Sequence, residues 1–226
     1  MMHVLVDSDI ICYRIACSTE EENEKIAISR CAYFIESMLW EDLENVETYQ
    51  CYLTGKENFR NDIAITAPYK GNRTSPKPKH LQTLRNYLVS AWGATISVGQ
   101  EADDSIAIEH TARNYESIIA SIDKDFLQLP GNHWNFVKKE MTVVNEAEAL
   151  LNFYLQVLTG DRVDNIIGLK GIGPVKAKQR LAGRESATEM YLACVEAYDG
   201  AEDRVIENCR LLHLRRTANE MWESPR

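Results

Sequence analysis

Two aspartates three residues apart, Asp161 and Asp164, stand just before a glycine hairpin, Gly168-Leu169-Lys170-Gly171-Ile172-Gly173. Pro174 follows and is well placed to open a helix carrying Lys176 and Lys178. Paired carboxylates of this kind can hold a divalent metal. The Gly171-Ile172-Gly173 turn lets backbone N–H groups approach a phosphate. A metal site so close to a phosphate cradle suggests hydrolysis of a nucleic-acid backbone.

Three other segments deliver carboxylates: Asp7 after Val4-Leu5-Val6, Glu101-Ala102-Asp103-Asp104, and Asp123-Lys124-Asp125. Most have a plain structural explanation taken singly. Acids at a helix start complement the dipole and cap free N–H groups, and Asp123, Asp125, Asp161 and Asp164 also suit turns. Asp7 is harder to explain that way, because it ends an apolar strand. Eight acids brought together without a cation would push one another's pKa values up. Such hard oxygen ligands suit Mg²⁺ or Mn²⁺, and two ions about 4 Å apart can clamp the attacking and leaving oxygens of a displacement. No Cys or His cluster competes for a softer metal. The six cysteines (Cys12, Cys17, Cys31, Cys51, Cys194, Cys209) have no zinc-like spacing and read as thiols of a reducing cytoplasm.

These residues need elements to position them. Short apolar runs at residues 3–6, 49–54, 95–98 and 117–122 predict strands. Helical spacing covers residues 25–43, 80–92 and 102–115 between them. Strands alternating with helices imply an α/β fold with a mostly parallel central sheet flanked by helices, whose sites form outside the carboxyl ends of the strands. Asp7 and Asp123 both sit at such ends and should meet on one edge. From about residue 146 the pattern is helical: 146–158, 174–181, 187–198 and 202–215. The expected organisation is an α/β core over residues 1–145 and a helical region over 146–226. Residues 69–79 are loop-like and basic, and Lys70 and Arg73, at i and i+3, are expected to share one helical face.

At 226 residues, 45% apolar and 26% charged, the chain can bury a sizeable core. The net charge of −9 argues at first against a nucleic-acid partner. Its distribution reverses that. Residues 63–100 contain no Asp or Glu but hold Lys70, Arg73, Lys77, Lys79 and Arg85, and Lys170, Lys176, Lys178, Arg180 and Arg184 follow the hairpin. Locally basic surfaces bind phosphates whatever the overall sign. No apolar run approaches a membrane span, and acid comes too early for a secretory signal, so a cytoplasmic location is expected, without membrane partners.

In this order the motifs resemble the 5′-nucleases of the flap endonuclease and 5′→3′ exonuclease superfamily, especially its bacteriophage members. Val6-Asp7-Ser8 is similar to the first-strand motif, and Phe59-Arg60 with Tyr69-Lys70-Gly71-Asn72-Arg73 to the arch base. The three later acidic groups and the hairpin, which resembles a helix–three-turn–helix over about residues 160–182, complete the set. The resemblance implies a PIN-like nuclease core with an arch over about residues 59–80. It implies one metal site built by Asp7, Glu101, Asp103 and Asp104, and another by Asp123, Asp125, Asp161 and Asp164. It implies that Lys70 and Arg73 act on the scissile phosphate, and that hairpin carbonyls bind K⁺. The expected partner is duplex DNA with a 5′ end, nick or flap, or an RNA:DNA hybrid, bound by a monomer in a bacterial or phage-infected cell. Tyr69 would stack on a base, while Gly171, Gly173, Lys176 and Lys178 would hold the duplex backbone. Two departures stand out. Gly55 occupies the position of a further family aspartate, with Glu57 close by, and the stretch from Arg73 to His80 is short for an arch. A non-catalytic structure-specific DNA-binding protein and a ribonuclease of related fold are the alternatives.

Overall fold

The computed structural model describes residues 2–225. Six strands, β1 (Met2–Asp7), β2 (Val46–Thr54), β3 (Thr95–Ser97), β4 (Ile118–Ala120), β5 (Gly131–Asn135) and β6 (Glu140–Val144), form a sheet in the order β3-β2-β1-β4-β5-β6. The first five are parallel and β6 is antiparallel to β5. The architecture is the expected mostly parallel sheet flanked by helices.

The central strand β1 is apolar over Val4, Leu5 and Val6 because both its faces are covered there. Val4 and Val6 face one side, where α1 (Ser8–Ser18), α2 (Glu24–Ser37) and α4 (Leu81–Trp92) supply Ile11, Cys31, Ile35 and Leu88. Leu5 faces the other, against Ile106 of α5 (Ala102–Ala112), Phe126 and Leu214. A second core lies among α6 (Glu146–Thr159), α7 (Pro174–Leu181), α8 (Ala187–Ala197) and α9 (Glu202–Leu212), with Tyr154, Leu158 and Tyr191 inside it. A single turn, α3 (Arg60–Ile63), leads from the sheet toward this core. Two very short strands, β7 (Gly160–Asp161) and β8 (Ile166–Ile167), pair antiparallel and bracket the Asp161–Asp164 turn. Their approach is so close that a Cβ on Gly160, at φ +69°, would lie 2.3 Å from the Gly168 nitrogen.

Three features depart from the sequence expectations. Helix α1 follows β1 without a loop, its first turn capped by the Asp7 carboxylate, which accepts from the Ile10 N–H at 3.4 Å. The α2 helix ends earlier than residue 43 and continues as a π-helical turn over Met38–Asp42. The β5–β6 hairpin extends the sheet beyond β4 with an edge strand exposed over most of its length.

Candidate active site

The sheet brings Asp7 and Asp123 together as strand order requires. Asp7 ends β1, is buried, and accepts from the Ser121 hydroxyl at 2.6 Å. Asp123 follows the neighbouring β4 and caps the short 3₁₀ turn Lys124–Gln128, accepting from the Asp125 N–H at 2.9 Å. Asp103 sits in the first turn of α5. Asp125 is held by the Gln156 amide at 2.6 Å. Asp161 accepts from the N–H groups of Val163 and Asp164, at 2.6 and 3.2 Å, and pairs with Lys124 at 3.0 Å.

Crowding of these acids shows in their proton affinities. Burial, then the charges of Asp9 and Asp123, pushes Asp7 up to about 7 against the pull of Ser121. Asp125 also rises to about 7, through burial and the neighbouring Asp123 and Asp161. Burial raises Asp103 far above the usual carboxylate range, with Asp7, Glu101 and Asp123 adding repulsion, and Asp123 shifts the same way. Asp161 moves down instead. Burial opposes its charge, but the Lys124 ammonium and two backbone N–H groups outweigh it.

Beside this group stand the cations. The Lys70 ammonium contacts Glu101 and lies 3.5 Å from Asp164, while the Arg73 guanidinium meets Asp164 at 2.7 Å. Burial works against the Lys70 charge, yet Glu101 and Asp164 raise its pKa. The two cations do not share a helical face. Lys70 lies in a left-handed turn at φ +54°, and the Arg73 N–H closes that turn onto the Lys70 carbonyl at 3.1 Å. A cleft of about 670 Å³ runs past Asp7, Asp103, Asp123, Lys70 and Arg73.

Asp104 does not stand with the other acids. It is 0% exposed, and both its oxygens are taken by the Arg60 guanidinium at 2.6 and 2.9 Å. Burial alone would raise its pKa, but Arg60 holds it below the usual range. The same guanidinium donates to the carbonyls of Leu211 and His213, at 2.8 and 2.9 Å. The expectation that Asp104 is a metal ligand is therefore corrected to a structural ion pair. Tyr69 is corrected too. Its ring is buried in the helical core and its hydroxyl lies 2.7 Å from both Glu101 and Asp164, so it has no open face for a base.

At the hairpin, Gly171 adopts φ +75° and neither it nor Gly173 has a neighbour where a Cβ would stand, leaving the backbone open to approach. The Lys176 ammonium folds back to the Gly171 carbonyl at 3.0 Å, while Lys178 is exposed. Gly55 lines the cleft, and a Cβ there would fall 2.2 Å from the Ser97 carbonyl oxygen. Sequence reasoning missed Asp9. It lines the cleft two residues from Asp7, accepts from the Thr54 N–H at 2.7 Å and pairs with Arg85. Its place two residues after Asp7, in Asp7-Ser8-Asp9, was the available signal. Among the described residues, no three or more His, Cys, Asp or Glu side chains form a ready group that could hold a metal ion. Lys70, Arg73 and Lys124 instead pair with the acids there.

Residues 2–154 match the family model described as 5′-3′ exonuclease, N-terminal resolvase-like domain. The chain is 31% identical over 136 residues to a flap endonuclease Xni of Shewanella baltica, covering 54% of this chain and 52% of that protein. It is 33% identical over 144 residues to DNA polymerase I of Rhizobium leguminosarum, covering 55% of this chain and 14% of the polymerase. The chain thus spans about half the length of the flap endonucleases it matches. Among solved structures, the bacteriophage T5 D15 flap endonuclease, in a pseudo-enzyme–product complex with DNA and metal ions, superposes with a TM-score of 0.74 at 18% identity. That match covers 95% of this chain and 89% of the other. The catalytic core of Rad2 in complex with DNA substrate gives 0.55 at 20% identity, over 84% and 63% of the two chains. At these identities the likeness is one of fold.

Proposed function

The chain belongs to the 5′-3′ exonuclease family, and from that premise we propose that it hydrolyses DNA phosphodiester bonds at or near 5′ ends with the help of divalent metal ions. The observation that carries this reading is the meeting of Asp7, Asp103 and Asp123 in one cleft with Lys70 and Arg73. The donor chemistry fits Mg²⁺ or Mn²⁺. The ligands are hard carboxylate oxygens whose mutual repulsion a divalent cation relieves. Asp7, Glu101 and Asp103 would form one set, and Asp123, Asp125, Asp161 and Asp164 the other. Divalent ions held there would supply an acidified water and positive charge to stabilise the leaving group.

The remaining work falls to the chain. Lys70 and Arg73 present fixed positive charge to the scissile phosphate, where charge grows in the transition state. Ser121 and Gln156 orient Asp7 and Asp125, and the Tyr69 hydroxyl fixes Glu101 and Asp164 from behind. Gly171, Gly173 and Lys178 would hold duplex backbone without reading sequence, which admits an RNA:DNA hybrid as well. At the Gly171 carbonyl, K⁺ would compete with the Lys176 ammonium already there.

The test uses 5′-labelled blunt, nicked and flap DNA with Mg²⁺ or with chelator. Metal-dependent cutting is expected, falling on the order of 100-fold or more in a folded Asp125→Asn variant. Gly55 favours a second reading, a protein that binds DNA structures without cutting them. Shifted but intact DNA in the presence of Mg²⁺ would establish that reading and overturn the first.

A further inference from the structure

Toward the amino ends of the strands, away from the cleft, aromatic side chains gather on the surface. The π-helical turn Met38–Asp42 closes with the Leu43 N–H on the Met38 carbonyl at 3.1 Å. It buries Met38 and Leu39 and leaves Trp40, the next residue, 57% exposed. The Trp40 ring stacks on Trp92, the last residue of α4, with centroids 5.8 Å apart and an interplanar angle of 28°. Tyr49 of β2 meets both rings, 6.4 Å from Trp40 and 5.8 Å from Trp92. The Trp92 indole N–H donates to the Tyr87 hydroxyl at 3.3 Å, which fixes the base of the stack. Tyr33, 66% exposed, precedes Trp40 by seven residues, about two helical turns. A tryptophan stacked on a second one and still open to water is an apolar anchor of the kind that protein interfaces use.

The rim of this patch is acidic. Residues 31–55 contain five acids, Glu36, Glu41, Asp42, Glu44 and Glu47, and no Lys, Arg or His, which makes them the charge opposite of residues 63–100. Asp42 pairs with Lys139 at 2.7 Å, and Glu41 accepts from the Ser37 hydroxyl at 2.7 Å. Glu36, Glu44 and Glu47 are exposed and make no ion pair among the described residues. Glu36 stands one turn before Trp40, and Glu47 lies on the same strand face as Tyr49. None of these residues lines the cleft. Such a rim repels phosphates, and with them nucleic acid and anionic lipid. It attracts a guanidinium, whose edge pairs with a carboxylate and whose face stacks on an indole.

We propose that this surface docks an arginine-bearing segment of another protein, with guanidinium groups on the open face of Trp40 and paired with the exposed glutamates around it. Because Trp92 and Tyr49 approach from the amino ends of β3 and β2, and the acids of the cleft stand at the carboxyl ends of β1 and β4, the docked partner leaves the cleft open. The proposal does not rest on the nuclease reading.

The experiment measures equilibrium binding to the whole chain by fluorescence anisotropy at low salt. The probe is a fluorescein-labelled dodecapeptide of four Arg-Pro-Leu repeats, compared with Lys-Pro-Leu and Glu-Pro-Leu repeats. The arginine repeat should bind, the lysine repeat about threefold more weakly, and the glutamate repeat not at all. Trp40→Ala should weaken binding of the arginine repeat about tenfold, while Trp40→Phe, which keeps a ring, retains most of it. Glu47→Lys reverses one charge at an exposed position without removing a ring, and should weaken binding about fivefold and reduce its salt dependence. Asp125→Asn, in the cleft, should leave peptide binding where it was. No binding of the arginine repeat, equal affinity for the lysine repeat, binding that Trp40→Ala and Glu47→Lys leave intact, or an equal loss in Asp125→Asn would overturn the proposal. A dimer in sedimentation velocity that Trp40→Ala dissolves would also overturn it, by giving the surface to a second copy of this chain.

Discussion

Asp103 and Asp104 are adjacent in sequence and opposite in environment. Asp103 faces other acids across the cleft, whereas Asp104 is closed off by Arg60. Removing half of a buried pair leaves a desolvated charge, so Asp104→Asn is expected to cost about 3–5 kcal/mol of stability in urea unfolding. Asp103→Asn, which relieves repulsion, should keep or raise stability and weaken Mn²⁺ binding in calorimetric titration. Gly55 gives a second contrast. Restoring an aspartate there drives a Cβ into the Ser97 carbonyl, so Gly55→Asp should lose roughly 1–3 kcal/mol instead of improving metal affinity. Asp7 and Asp123 were legible because an apolar run ends at each. The fate of Asp104 was not, because its partner is 44 residues away and the two carbonyls that guanidinium also reaches, of Leu211 and His213, lie 151 and 153 residues from it. Tyr69 misled for a related reason: a tyrosine in a basic segment looks free until the helical core closes over it.

Among the elements, α5 is fastened to the sheet through His110, whose ring meets the Ser117 hydroxyl at 2.6 Å and the Pro130 carbonyl at 2.8 Å. A neutral ring with its proton on Nε2 satisfies both. Burial, with a smaller contribution from His133, lowers its pKa to about 4. Unfolded, the imidazole takes up a proton near pH 6.5. Between those values the unfolded chain holds more protons, so the contribution of neutral His110 is complete above pH 6.5 and drains away as pH falls toward 4. The loss amounts to at most about 3 kcal/mol. Urea midpoints at pH 7 and pH 4.5 should therefore lie closer together in His110→Gln than in the parent chain. The long amphipathic helices and buried strands were readable from their periods. Helix α1 was not, because it begins at the residue after β1 with no loop between them. The β5–β6 hairpin escaped because its edge strand is mostly exposed and lacks a buried alternation. Lys70 and Arg73 were correctly placed side by side, but the left-handed Lys70 backbone replaces the helix that their spacing suggested.

For the whole molecule, charge is sorted rather than averaged. The acid-free stretch at residues 63–100 already disclosed this in a chain of net charge −9. DNA affinity should therefore fall steeply between 50 and 200 mM salt, with a log–log slope of roughly −3 or steeper, when measured with chelator present. A flat response would contradict a phosphate-binding face. The two cores are also tied to each other at a late point in the sequence. Arg60 leaves the sheet region, pairs with Asp104 beneath the acids, and also donates to the Leu211 and His213 carbonyls. Arg215 then closes over Phe59 at 3.6 Å from its ring centre. During synthesis the N-terminal parts of a chain emerge first. Every strand and every acid of the cleft is thus made well before residues 211–215, and the wall behind Asp104 stays open until they emerge. A nascent chain on the ribosome carries the whole acidic set in an unfinished frame, and the frame closes only once residues 211–215 have left the tunnel.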